Sequence, residues 1–210
     1  NQKAALQTTI ARKLAEQCAR HPIPKGIWID LGAGTGLLAD ALEAYHPNQI
    51  VIRVDGSKDM LKKQQHDRPS QIWDLNQGLP QWSELPTLIA SSFSLHWLTN
   101  PEKKLTEWFN ALAPGGWLAL AVPVEGSFPE WLNAAHLAEV RCTALQLPSQ
   151  YNLQRAIPQH CICHEELQVI TQRDIKPTSL LKPMCEVGAQ GTEQPKISVS
   201  EWRRLQKLWP

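Results

Sequence analysis

Along residues 27–123, short apolar runs take turns with segments in which apolar residues recur every three or four positions. The runs GIWIDL, QIVIRVD, SQIWDL, TLIASS and WLALAVP read as five strands, most of them apolar throughout and therefore covered on both faces. Between them the pattern predicts helices. Residues 3–20 place Leu6, Ile10, Leu14 and Cys18 four apart, one stripe on a helix that stops before His21-Pro22. Leu37, Leu38, Ala41, Leu42 and Tyr45 make a second helix face, ended by Pro47. SKDMLKKQQ offers Ser57 as an N-cap with Asp59 in the first turn, and NPEKKLTEWFNAL offers Asn100 as a cap with Pro101 at the first helical position. After Val124 the pattern loosens: a helix from Ser127 to Cys142, an irregular stretch to about residue 160, a strand at Leu167–Thr171 and a helix around 178–187 are expected. Strands alternating with helices predict an α/β fold, a doubly wound and mostly parallel sheet.

Composition narrows this picture. A chain of 210 residues, 42% of them hydrophobic, suits one domain with a real core, and we expect a single domain over 1–210. Twenty-one basic against twenty acidic residues set up no global field for nucleic acid or an anionic membrane surface. No apolar run is long enough to span a bilayer, and NQKAALQTT lacks the apolar core of a signal peptide, so a cytoplasmic protein is expected. Five cysteines without framework spacing fit free thiols in a reducing compartment. HCICH at 160–164 crowds its thiols and imidazoles more closely than zinc sites space theirs, and we expect no metal there.

The chemistry concentrates after the first strand. Glycines fall at 32, 34 and 36, and Leu37 stands where a dinucleotide fingerprint needs its last glycine, which argues against a nicotinamide cofactor. No lysine follows to make a phosphate-binding P-loop, and Asp30 adds negative charge just before the turn. A ligand with a cationic centre tolerates that carboxylate, which points to S-adenosylmethionine. Asp55 ends the second strand, where it can accept both ribose hydroxyls; Asp74 ends the third, within reach of an adenine amino group; Met60 can cover an adenine face.

Taken in order, IDLGAGTG, VIRVDGSKDML, IWDL and LAPGGWLALAV resemble the class I S-adenosylmethionine-dependent methyltransferases, a Rossmann-like fold. The resemblance implies an N-terminal helix over 1–25, a cofactor-binding core over 26–123 and a substrate-covering, C-terminal part over 124–210. It also implies that Asp30, Gly32, Ala33, Gly34, Gly36, Asp55, Gly56, Met60, Asp74, Leu75, Ser91 and Ser92 form the cofactor site.

A narrower resemblance rests on Ser91 to Trp97, Gly126 to Glu130, LLKPMCEVGAQGT and SEWRRLQKLWP. These are similar to the malonyl-[acyl-carrier protein] O-methyltransferases of biotin synthesis. The chain departs from them at Ser92, commonly asparagine there, and at His96, commonly glutamine. It also lacks their N-terminal lid segment and last strand, so a fold truncated at both ends is expected. The resemblance implies methyl transfer to the free carboxylate of a malonyl thioester, with His96 and Trp97 positioning substrate. Such a carboxylate titrates at about 4, so no general base is required. It implies acyl carrier protein as partner, with Arg141 and Arg155 as docking residues. The alternatives are a methyltransferase for another small acid or phenol, and a non-catalytic partner subunit that keeps the fold.

Overall fold

A computed structural model describes residues 5–64, 67–142, 144–171, 173 and 197–209. They group into two compact units, residues 5–123 with 148–163, and residues 124–147 with those described from His164 onward.

In the first unit, five parallel strands form one sheet in the order β3-β2-β1-β4-β5: β1 Trp28–Leu31, β2 Val51–Asp55, β3 Ser70–Ile72, β4 Leu88–Ser92 and β5 Trp117–Ala121. The strand order reverses between β1 and β4, the switch point at which open α/β sheets bind ligands beyond the carboxyl ends of their strands. Helices α1 Ala5–Ala19, α2 Leu37–Tyr45, α3 Lys58–Leu61, α4 Pro101–Asn110 and α6 Gln150–Arg155 belong to this unit.

Successive residues of a strand face opposite sides, and the two apolar clusters follow that parity. Trp28, Val51, Leu88 and Ala90 pack with α1 and α2 through Ala11, Ala15, Cys18, Leu38 and Leu42. Ile29, Leu31, Val54 and Ile89 pack on the other face with Leu105 and Trp108 of α4. Each fully buried Leu or Ile of this kind stabilises the fold by about 1.5–3 kcal/mol.

The second unit holds α5 Pro129–Leu137 and α7 Val199–Lys207, joined by Ala134, Ala135, Ala138, Val140 and Leu205. A capping box between Ser198 and Glu201 starts α7.

Several expectations change. On α1 the fully buried positions are Ala11, Ala15 and Cys18, because close packing of α1 on α2 selects small residues, and Leu6 and Ile10 are only half-buried. Tyr45 is half exposed at the end of α2. Asn100 precedes Pro101 as expected but makes no side-chain cap; it sits in the left-handed region at φ 55°, which asparagine tolerates. The expected helix Ser127–Cys142 is shorter, entered at Pro129 and ended near Glu139, itself left-handed at φ 50°. The irregular stretch before 160 contains α6. Among the described residues no strand is formed over 167–171, and Val169 is 90% exposed. The helix expected around 178–187 lies outside the described residues.

Candidate functional site

The turn after β1 is fastened to the end of β2. Gly32 and Ala33 both donate their N–H to Val54 O, at 2.8 and 3.0 Å, and Gly36 N–H donates to Ala33 O at 2.8 Å. Gly32, Gly34 and Gly36 all have positive φ, 71°, 55° and 87°, a region that disfavours side chains. At Gly32 a side chain is excluded twice over, since a Cβ would overlap the side chain of Ser94. At Gly34 the only atom of the described residues within 4 Å of such a Cβ is Met60 Cε, at 3.9 Å.

Asp55, at the end of β2, accepts the Gly34 N–H on Oδ2 and the Ser57 N–H on Oδ1, both at 2.7 Å. A carboxylate has about four lone-pair positions, so two remain for a ligand. Ser57 caps α3 by accepting the Met60 N–H at 3.3 Å, which holds Met60 beside Gly34. Gly56 has ordinary room, with Trp73 O at 3.6 Å from its missing Cβ. Asp74 is exposed after β3 and accepts the Asn76 N–H at 2.9 Å, while Leu75 beside it is buried.

Asp30 faces the α2 side, on the parity of Trp28. Its carboxylate is 1% exposed and accepts the Ala39 N–H of the first α2 turn at 3.1 Å, a bond that Gly36 at the N-cap has no side chain to make. Burial pushes this carboxyl up to about 7, opposed by the Ala39 N–H and by Arg53, its cross-strand neighbour on β2. Arg53 is wholly buried; it bonds Asp40 at 2.7 Å and Glu43 at 3.1 Å on α2, and Arg68 adds a contact of 3.4 Å to Glu43.

The end of β4 supplies a second group of residues. Ser91 is buried and donates to Leu31 O at 2.8 Å, tying β4 to β1. Ser92 Oγ is buried without a hydrogen-bond partner. Phe93 follows at φ 55°, and the chain enters a 3-10 turn over Leu95–Trp97. His96 and Trp97 are half-buried, their rings 5.0 Å apart. His96 Nδ1 is buried without a partner, and burial pushes the imidazole down to about 4.

The sheet thus brings Gly32 to Gly36, Asp55, Met60, Asp74, Ser92 and His96 to the carboxyl ends of four strands. Arg155 lies elsewhere, on α6, where it donates to the Tyr151 hydroxyl at 2.7 Å beside a cavity of about 490 Å³ between α4 and α6. Arg141 is exposed in the second unit, where its charge helps lower the pKa of Glu201. Cys161 and Cys163 are exposed, and among the described residues no group of three metal-ligating side chains is assembled.

Sequence reasoning missed the buried Arg53 cluster, although an arginine inside the apolar run VIRVD was its signal. It also missed Gln64, which donates from Nε2 to Gly34 O at 2.7 Å; nothing in KKQQ distinguishes that residue.

The features fit S-adenosylmethionine: a turn kept bare by three left-handed glycines, a carboxylate with open acceptor positions at the ribose-binding place, and a thioether beside them.

Comparison with known proteins agrees. The profile of a family described as a methyltransferase domain matches residues 3–160. The chain is 32% identical over 116 residues to a trans-aconitate 2-methyltransferase of Variovorax paradoxus, covering 53% of this chain and 44% of that protein. It is 31% identical over 133 residues to one of Mycobacterium tuberculosis, covering 62% and 47%. The chain spans about half the length of the curated relatives it matches. Among solved structures, the YcgJ protein of Bacillus subtilis superposes with a TM-score of 0.63 at 17% identity, over 95% of this chain and 83% of that one. An S-adenosylmethionine-dependent methyltransferase of Thermotoga maritima gives 0.52 at 19% identity, over 74% of each. Both likenesses establish the fold.

Proposed function

This chain belongs to the methyltransferase domain family, of class I and dependent on S-adenosylmethionine, and from that premise we propose that it methylates a carboxylate of a small organic acid. The observation that carries the reading is the pair of buried, unpartnered polar atoms at the end of β4, Ser92 Oγ and His96 Nδ1, which suit a carboxylate acceptor as hydrogen-bond donors. Burial, which lowers the pKa of His96, fits a neutral donor there. A carboxylate is already ionised at pH 7 and needs no base. The relatives support the same acceptor chemistry, since trans-aconitate carries three carboxylates. They favour a free small acid over the malonyl thioester that the narrower resemblance implied.

Bound at the glycine turn, S-adenosylmethionine supplies an electrophilic methyl group on a sulfonium. The chain's own part is to bind and orient. Asp55 accepts the ribose hydroxyls, Met60 packs against the adenine, and the turn at 32–36 admits the ligand close to the backbone. Ser92 Oγ and His96 Nδ1, both buried and unpartnered, donate to the acceptor carboxylate, and Trp97 excludes water beside them. Alignment of the reacting groups and removal of water supply the acceleration. No proton changes hands.

The test offers trans-aconitate, and separately malonyl-acyl carrier protein, to the full chain with S-adenosylmethionine and reads product masses. A gain of one methylene on trans-aconitate or a related free acid is expected. A gain on the malonyl form alone returns the narrower reading. Methylation of phenols or amines but no acid overturns the carboxylate assignment. In the same assay His96→Ala should lower turnover about tenfold or more while cofactor affinity stays within about twofold.

A further inference from the structure

Resting on the reading of residues 32–36 as the cofactor cradle, we propose that Gln64 is a positioning residue of that cradle and, with Asp55, sets its affinity for S-adenosylmethionine. Gly34 is the middle glycine of the turn, left-handed at φ 55°. Both of its backbone polar groups are held by side chains: the N–H by Asp55 Oδ2 and the C=O by Gln64 Nε2, each at 2.7 Å. These are the short ends of the hydrogen-bond range, and they come from residues 21 and 30 positions away. Gln64 also packs on the next glycine. Its Cδ and Cγ lie 3.4 and 3.5 Å from the place where a Cβ of Gly36 would be, and Arg53 Nε lies 3.3 Å from the same point.

A glycine without such ties samples positive and negative φ about equally, so a ligand would have to order the turn on binding. The two side chains remove that cost beforehand. Gln64 suits the task by its chemistry. Its carboxamide donates to a carbonyl without adding charge beside Asp55, which neither glutamate nor lysine does. The residue is half-buried and lies outside the apolar clusters, so its loss disturbs the turn more than the core.

The experiment titrates the full chain with S-adenosylmethionine by calorimetry and measures KM and kcat for the methyl transfer, for wild type, Gln64→Leu and Gln64→Glu. Loss of one net hydrogen bond predicts a Kd and cofactor KM raised roughly three- to tenfold in Gln64→Leu. Gln64→Glu, which keeps the length and loses the donor, is expected to bind at least as weakly. In both, kcat at saturating cofactor should stay within about twofold of wild type and the melting temperature should hardly move. Variants that bind as tightly as wild type overturn the assignment to Gln64 while leaving the cradle in place. A lowered melting temperature with unchanged KM overturns it too, since that marks a role in the fold alone. A wild-type chain that does not bind S-adenosylmethionine overturns the cradle itself and this inference with it.

Discussion

Asp30 and His96 pull the stability of the protein in opposite directions with pH. Burial raises the Asp30 carboxyl from 3.8 to about 7, so the folded chain holds that proton more tightly than the unfolded one. The stability this contributes is present below about pH 4 and is lost as pH rises through 7. Arg53 opposes the shift, and Asp55 and Asp40 add to it. Burial lowers His96 from 6.5 to about 4, so its contribution is present above pH 6.5 and is lost as pH falls toward 4. Between pH 4 and 6.5 the two slopes offset each other. Asp30→Asn keeps an acceptor for Ala39 and removes the buried charge. Its stability relative to wild type should therefore rise from pH 4 to pH 8, read by urea unfolding at several pH values. A constant difference would mean that Asp30 does not titrate in this range. The position of Asp30 was visible in WIDLGAGTG, but its task was not. A carboxylate before a glycine turn suggests a ligand, and only the strand parity shared with Trp28 turns it toward α2.

Helix α2 is held to β2 by charge as well as by leucines. Arg53 makes its ion pairs with no exposure to solvent, and Glu43 is 8% exposed. Replacing Arg53 leaves Glu43 buried with only Arg68, at 3.4 Å, to compensate it, whereas Asp40 is half exposed, so Arg53→Met should destabilise the fold by about 3 kcal/mol in urea unfolding. The exposed pair Arg20 and Glu16 on α1 offers the contrast, and Arg20→Ala should change little. Elements with a strong period were legible in the sequence, and these contrasts explain which were not. Short apolar runs marked the strands, β3 most weakly, since Ser70–Ile72 is largely polar and has no buried residue. Of the α1 stripe, Cys18 is buried and Leu14 packs against the core, but Ala11 and Ala15 escaped the pattern because they are weak hydrophobic signals, although close helix contact needs them. Helix α6 has no buried residue and so no period to read. Leu167 and Val169 alternate as a strand would, yet both are exposed and pair with nothing among the described residues.

Across the whole chain, the legible part coincides with residues 27–123, where sheet topology and motif order constrain each other. Beyond Val124 that mutual constraint ends, and with it most of the foresight. Thiols offer a way to follow opening within the sheet unit, which holds Cys18, Cys161 and Cys163. Cys18 is buried against α2 and pushed up to about 12, which leaves almost no thiolate at neutral pH. Cys161 and Cys163 are exposed. Alkylation under native conditions, mapped by peptide mass, should label Cys161 and Cys163 within minutes. Cys18 should stay protected until the sheet unit unfolds. Early labelling of Cys18 would show that α1 opens independently of the sheet.

Gly32 and Ser94 divide a volume that holds one side chain. Position 32 cannot take a Cβ while Ser94 is unchanged, so an alanine there can be reached in only one order. Ser94→Gly has to come first, because Gly32→Ala alone drives its new methyl group into the Ser94 side chain. Even after that first step an alanine at φ 71° keeps a strain of about 1–2 kcal/mol. The double variant should therefore be more stable than Gly32→Ala and less stable than Ser94→Gly. A lineage that reached alanine at position 32 would carry the trace of its route at position 94, some sixty residues away.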